Sequence, residues 1–99
     1  MTIYISGKIS GTNDYKERFA EVEKRLKVDG HRVINPVKVC RNIQQGSPWA
    51  TYMRNCIRAL TRADAIYLMR GWRKSPGARL EQKIAVALDM IILAQEKGD

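Results

Sequence analysis

Residues 65–81 read Ala-Ile-Tyr-Leu-Met-Arg-Gly-Trp-Arg-Lys-Ser-Pro-Gly-Ala-Arg-Leu-Glu. Ala65 to Met69 is an apolar run of strand length. Arg70 to Lys74 form a basic turn that contains Gly71. Ser75-Pro76 then starts a helix, with a hydroxyl at the cap and proline in the first turn. That helix carries Ala78, Ile84, Ala85 and Leu88 as apolar residues. Strand, tight turn and capped helix in this order make up one half of a parallel β-α-β unit.

The same alternation extends both ways. Upstream, Thr2 to Ile5 reads as a short buried strand, broken by Ser6, Gly7 and Gly11. Asp14 to Asp29 reads as an amphipathic helix, with Phe19, Val22 and Leu26 on one face and Gly30 as a left-handed cap. Arg32 to Ile34 is a second strand, ended by Asn35-Pro36 because the residue before proline is pushed to extended geometry. Val37 to Gly46 reads as a loop. Ser47-Pro48 opens a helix that runs to about Arg62, with Tyr52, Met53, Cys56, Ile57 and Leu60 on its apolar side. Downstream, Met90 to Ala94 is a fourth strand, and Gln95 to Asp99 is a polar tail. The pattern predicts one α/β domain over residues 1–99, with a four-stranded parallel sheet and covering helices. Right-handed crossovers and a strand order of 2-1-3-4 put the winding reversal between the first and third strands. Ligands bind such sheets beyond the carboxyl ends of the strands, at that reversal. The turns 6–11 and 70–77 both fall there.

Composition narrows the chemistry. Ninety-nine residues leave room for one domain, not several. Eighteen Lys and Arg against ten Asp and Glu give a net charge of +8. No apolar run approaches the ~20 residues of a membrane span, and no leader precedes the first strand, so a cytoplasmic protein without a membrane partner is expected. Cys40 and Cys56 make neither a CxxC pair nor a disulfide framework, and the chain has one His, so no metal is expected. The phosphate-loop spacing GxxxxGK[ST] and the dinucleotide spacing GxGxxG are both absent, and no cofactor is expected.

The two turns carry the candidate site. In the first, Ser6, Gly7 and Lys8 bring glycine backbone, a hydroxyl and a cation to the reversal point. A plain strand-to-helix turn is the alternative. In the second, Ser75 heads a helix N-terminus whose amides suit an anion. A monophosphate fits the Ser75 hydroxyl with the amides of Gly77 and Ala78, next to Gly71, Trp72, Arg73 and Lys74. The alternative makes Ser75 a cap and the cations a solvated rim. Glu81, in the second helical turn, is either a nucleophile toward a sugar carbon or a surface glutamate paired with Lys74 or Lys83. Tyr4 lies in the first strand beside the reversal point, with Tyr15 and Trp72 at its border. Arg54, Arg58 and Arg62 form a helical row at four-residue spacing. That row is either a solvated face or a contact for phosphates of a nucleic acid.

Four segments together carry a resemblance. Ile3-Tyr4-Ile5-Ser6-Gly7, Gly30 to Pro36, Ala63-Asp64-Ala65-Ile66 and Gly71-Trp72 through Glu81 resemble the nucleoside 2-deoxyribosyltransferase-like superfamily, in its short DUF4406-type branch of bacteria and their phages. The resemblance spans nearly the whole chain. It implies a flavodoxin-like three-layer fold and a homodimer or larger homo-oligomer. It implies action on the N-glycosidic bond of a nucleoside or nucleoside 5′-monophosphate, as hydrolase or transferase. Glu81 matches the attacking glutamate, seventeen residues after Asp64. Ser75, six residues before Glu81, matches the serine that contacts the 5′-phosphate in the monophosphate enzymes. Tyr4 matches an aromatic strand residue near the sugar. The superfamily commonly has an aspartate eight residues before the counterpart of Asp64, where it serves the leaving base; this chain has Cys56 there. A thiol cannot replace a carboxylic acid in that role near neutral pH. The leading expectation is a nucleotide N-glycosidase or deoxyribosyltransferase-like enzyme. A non-catalytic nucleotide-binding module comes second, and a basic nucleic-acid-binding protein third.

Overall fold

The computed structural model describes residues 1–95; positions 96–99 of the polar tail lie outside the described residues. The element order is β1 (Thr2–Ser6), α1 (Tyr15–Val28), β2 (Arg32–Ile34), α2 (Pro36–Val39), α3 (Trp49–Leu60), β3 (Ala65–Leu68), a 3-10 turn (Trp72–Lys74), α4 (Pro76–Ala87) and β4 (Ile91–Ala94). The sheet is parallel throughout, in the order β2-β1-β3-β4. This is the α/β, flavodoxin-like arrangement expected from the alternation of strand and helix.

The central strands explain the layering. Ile3, Ile5, Ala65, Tyr67 and Met69 point to one face and pack with Phe19, Val22 and Leu26 of α1. Tyr4, Ile66 and Leu68 point to the other and pack with Cys56, Ala59 and Leu60 of α3 and Ala85 of α4. This is the two-residue period of a strand buried on both sides. The register Tyr4↔Ile66 and Ser6↔Leu68 sets the carboxyl ends of β1 and β3 side by side. Gly7 leaves that edge where a Cβ would sit 3.0 Å from the Met69 side chain, so a larger residue would displace it. Arg18 fixes the loop that follows, donating to the Lys8 carbonyl at 3.2 Å and pairing with Asp14 at 3.1 Å.

Most element boundaries fall where the local chemistry puts them. Gly30, at φ +91°, ends α1 in a Schellman arrangement: its N–H donates to the Lys27 carbonyl and the His31 N–H to that of Leu26. The predicted loop over Val37 to Gly46 is corrected at its start, because Pro36–Val39 is a helical turn. Asn35 accepts from the Val37 N–H and Pro36 sits in the first turn, so one dipeptide ends β2 and starts α2. The expected Ser47 cap of α3 is also corrected. Ser47 Oγ donates to the Gln44 carbonyl at 2.6 Å, and Pro48 stands at the cap position without a side-chain bond. Leu88, expected on the apolar side of α4, is exposed at its C-cap. The Arg54, Arg58 and Arg62 row is exposed.

Candidate active site

α4 presents Ala78, Glu81 and Ala85 to the interior. Their spacing is that of an inward helix stripe, and Glu81 takes a place ordinarily held by an apolar residue. Strand alternation supplies its partners, since Tyr4 and Ser6 are two residues apart on the same face of β1. The Tyr4 hydroxyl donates to Glu81 Oε2 and the Ser6 hydroxyl to Oε1, each at 2.6 Å. Tyr4 and Ser6 are fully buried, and Glu81 is 5% exposed. The alternative of a surface glutamate paired with Lys74 or Lys83 therefore does not apply.

Two opposed influences act on this carboxylate. Burial pushes its pKa up, and the Ser6 and Tyr4 hydrogen bonds pull it part of the way back, leaving it raised. Burial and the adjacent Glu81 charge hold the Tyr4 hydroxyl well above the usual phenol range, so Tyr4 stays a donor. Among the described residues, no buried side-chain polar atom lacks a hydrogen-bond partner. The carboxylate is thus held in one orientation with each oxygen accepting one bond.

Glu81 lies at a cavity of about 890 Å³ at the carboxyl ends of β1 and β2. Of the residues singled out in the sequence, Tyr4, Gly7, Lys8, Tyr15, Lys74, Ser75, Gly77 and Ala78 line it with Glu81. Ser75 caps α4, accepting from the Ala78 N–H at 3.1 Å, which leaves its own hydroxyl proton available to an anion. The Gly77 N–H belongs to the first turn, where amides have no acceptor within the helix. Three assignments change. Ser6 holds Glu81 from beneath and is not part of the cavity lining. Gly71 turns the chain at φ +86° and lines a separate hollow of about 530 Å³ on the α1 side. Trp72 packs on the interior cluster, with the Arg73 guanidinium 4.8 Å from its ring centroid, and does not line the cavity.

Three lining cations were not legible as site residues. Lys16, Lys38 and Arg41 join Lys8 and Lys74 around the cavity, and Glu81 is the one acidic residue among its described lining residues. Lys38 and Arg41 lie in the stretch read as a loop, so their placement depended on the missed turn of α2. That turn is anchored by a buried acid on α1. Glu23 accepts from Asn35 at 3.1 Å and pairs with Lys38 at 3.0 Å and Lys27 at 2.8 Å. Its helical spacing with Phe19, Val22 and Leu26 was the available signal. Trp49 and Tyr52 also border the cavity. Cys56 lies against Tyr4 and Cys40, and burial pushes its thiol up to about 12. Asn55 instead donates to the Thr51 carbonyl of its own helix at 2.9 Å. Asp64 holds the Thr2 N–H at the opposite end of the sheet, at 2.8 Å. Among the described residues, no group of three or more His, Cys, Asp or Glu is placed to hold a metal ion, and no helix is long and apolar enough to cross a membrane.

Comparison with known proteins agrees with this architecture. No curated protein matches the chain. Among solved structures, a 2-desoxiribosyltransferase from Leishmania mexicana superposes with a TM-score of 0.69 at 23% identity. The superposition covers 94% of this chain and 62% of that one, so the present chain spans under two thirds of the enzyme it matches in fold. The profile of the family described as Domain of unknown function (DUF4406) matches residues 1–94. A match over nearly the full length settles the membership: the chain belongs to the DUF4406 family, on the fold of a 2-deoxyribosyltransferase.

Proposed function

We propose that this chain acts on the N-glycosidic bond of a nucleoside 5′-monophosphate, with Glu81 as the nucleophile. The observation that carries this reading is the buried Glu81 carboxylate, aimed by two 2.6 Å hydrogen bonds into a cavity lined by five Lys and Arg. An Oε lone pair forms a bond to the anomeric carbon as the carbon–nitrogen bond breaks, and that electron pair departs with the base, which takes up a proton. Water or a second base then displaces Glu81. The transition state is cationic at the sugar, and a nearby carboxylate stabilises it. Ser75 and the Gly77 N–H receive the phosphate, because the expected Ala78 amide is already held by Ser75, and Lys8 and Lys74 supply charge of the right sign. Tyr4 and Ser6 hold the carboxylate ionised and oriented, which makes them positioning residues. The superposition on a 2-desoxiribosyltransferase supports the reaction class, and assembly as a homodimer or larger oligomer is part of the same proposal.

One observation favours a second reading. Cys56 stands where a leaving-group acid is expected, and a thiol near 12 does not donate a proton at neutral pH. A nucleotide-binding module without turnover is compatible with that arrangement. Both readings are tested by incubating the protein with a panel of ribo- and deoxyribonucleoside 5′-monophosphates. Free base is followed by chromatography, with Glu81→Ala in parallel. Base release abolished in Glu81→Ala is expected. Stabilisation by nucleotide of ~2 to 3 kcal/mol at a hundredfold excess over Kd, without base release, selects the binding module. Full base release by Glu81→Ala overturns the assignment of Glu81.

A further inference from the structure

Cys40 and Cys56 come from different elements and meet in the cavity wall. Cys40 stands at the C-cap of α2 and Cys56 on α3, with their sulfurs 3.4 Å apart. Both line the cavity. Cys56 is buried and Cys40 half-buried, so a small oxidant entering the cavity meets Cys40 first. A disulfide bond is ~2.05 Å long, so closure needs a further approach of ~1.4 Å. Cys40 ends a helix of one turn and begins the irregular stretch before α3, so that approach requires no shift of the sheet.

We infer that Cys40 and Cys56 form an oxidant-sensitive modification site, closing to an intramolecular disulfide in the cavity wall beside Tyr4 and Glu81. With hydrogen peroxide, the Cys40 thiolate attacks one peroxide oxygen. The O–O bond breaks, the leaving hydroxide takes up the proton that the Cys40 thiol released and departs as water, and Cys40 becomes a sulfenic acid. The Cys56 sulfur then attacks the Cys40 sulfur and displaces that oxygen as a second water, which takes up the Cys56 proton. Two thiols lose two electrons and the peroxide gains them. Cys40 is the more accessible of the two, which assigns it the first step and Cys56 the resolving one. Closure ties the end of α2 to α3 and draws the cavity wall inward.

The test uses intact mass and thiol counting on the full chain, so its outcome does not depend on the glycosidic reading of Glu81. Reduced protein is treated with hydrogen peroxide, then with iodoacetamide. The expected product is a monomer lighter by two hydrogens that takes up no alkyl group and regains both thiols with dithiothreitol. In Cys56→Ser, Cys40 is expected to gain one oxygen and to be trapped by dimedone, with no mass loss. Two alkylatable thiols in the wild-type chain, at a peroxide dose that oxidises Cys40 in Cys56→Ser, overturns the inference. A disulfide-linked dimer as the main product also overturns it, since the pair would then be bridging two chains.

Discussion

At Glu81, an acid occupies an interior position and survives there through two donors. Removing one donor exposes the balance. Tyr4→Phe leaves the carboxylate with Ser6 alone, so its pKa rises above the wild-type value. The acid limb of a base-release profile is expected to move to higher pH, read from kcat/KM against pH. Stability follows with a definite sign. The folded pKa of Glu81 lies above the ordinary 4.5, so ionised Glu81 opposes folding, an effect absent below 4.5 and growing as pH rises through the folded value. Tyr4→Phe enlarges that cost. It is expected to lose about 1 to 3 kcal/mol at pH 8 and less at pH 4, by urea unfolding at both. Glu81 was legible only in part. Its position in a βα unit can be read from the chain, but helix periodicity alone cannot say which side of α4 meets the sheet. The register of β1 against β3 decides that, by bringing Tyr4 and Ser6 under it.

At the scale of elements, two short devices hold the cavity open. The first is the cap of α4. Ser75→Ala removes the bond to the Ala78 N–H and is expected to cost about 1 kcal/mol, seen as a lower urea midpoint with an unchanged slope. If phosphate binds there, the same variant raises KM for monophosphates more than for nucleosides. The second device is the Glu23 anchor of α2. Burial works against its charge, but bonds from Lys27, Asn35 and Lys38 outweigh burial and bring its pKa from 4.5 down to about 2. A depressed carboxylate contributes stability above 4.5 that is lost as pH falls toward 2. Both lysines are more than half exposed, so solvent screening limits the gain to about 1 to 2 kcal/mol. Glu23→Gln is expected to flatten the stability profile across that window, by urea midpoints taken at successive pH values. Asn35-Pro36 shows why α2 escaped the sequence. A proline after a strand reads as its end, while the asparagine cap that makes the same proline a helix start acts through its side chain.

At the scale of the molecule, the strand order was legible because strand–helix alternation and right-handed crossover leave few arrangements. The cavity was less so, because its lining runs from Tyr4 to Glu81 and needs the folded loop between β2 and α3. β4 is an edge strand with Ile91 and Ile92 exposed, and Val86 and Leu88 are exposed just before it. Such an edge invites pairing with another chain. Ile91→Lys is expected to change stability by no more than about 0.5 kcal/mol while lowering self-association in light scattering. The hydrogen bonds to Glu81 span 75 and 77 residues of chain, which sets the timing of the site. Contacts this distant in sequence wait for the closure of long loops. As the chain leaves the ribosome, β1, α1 and β2 emerge without the acid that Tyr4 and Ser6 are placed to hold. Until α4 docks, Glu81 is a hydrated side chain of ordinary acidity. Partly folded forms of the full chain therefore carry every residue of the site and none of its chemistry.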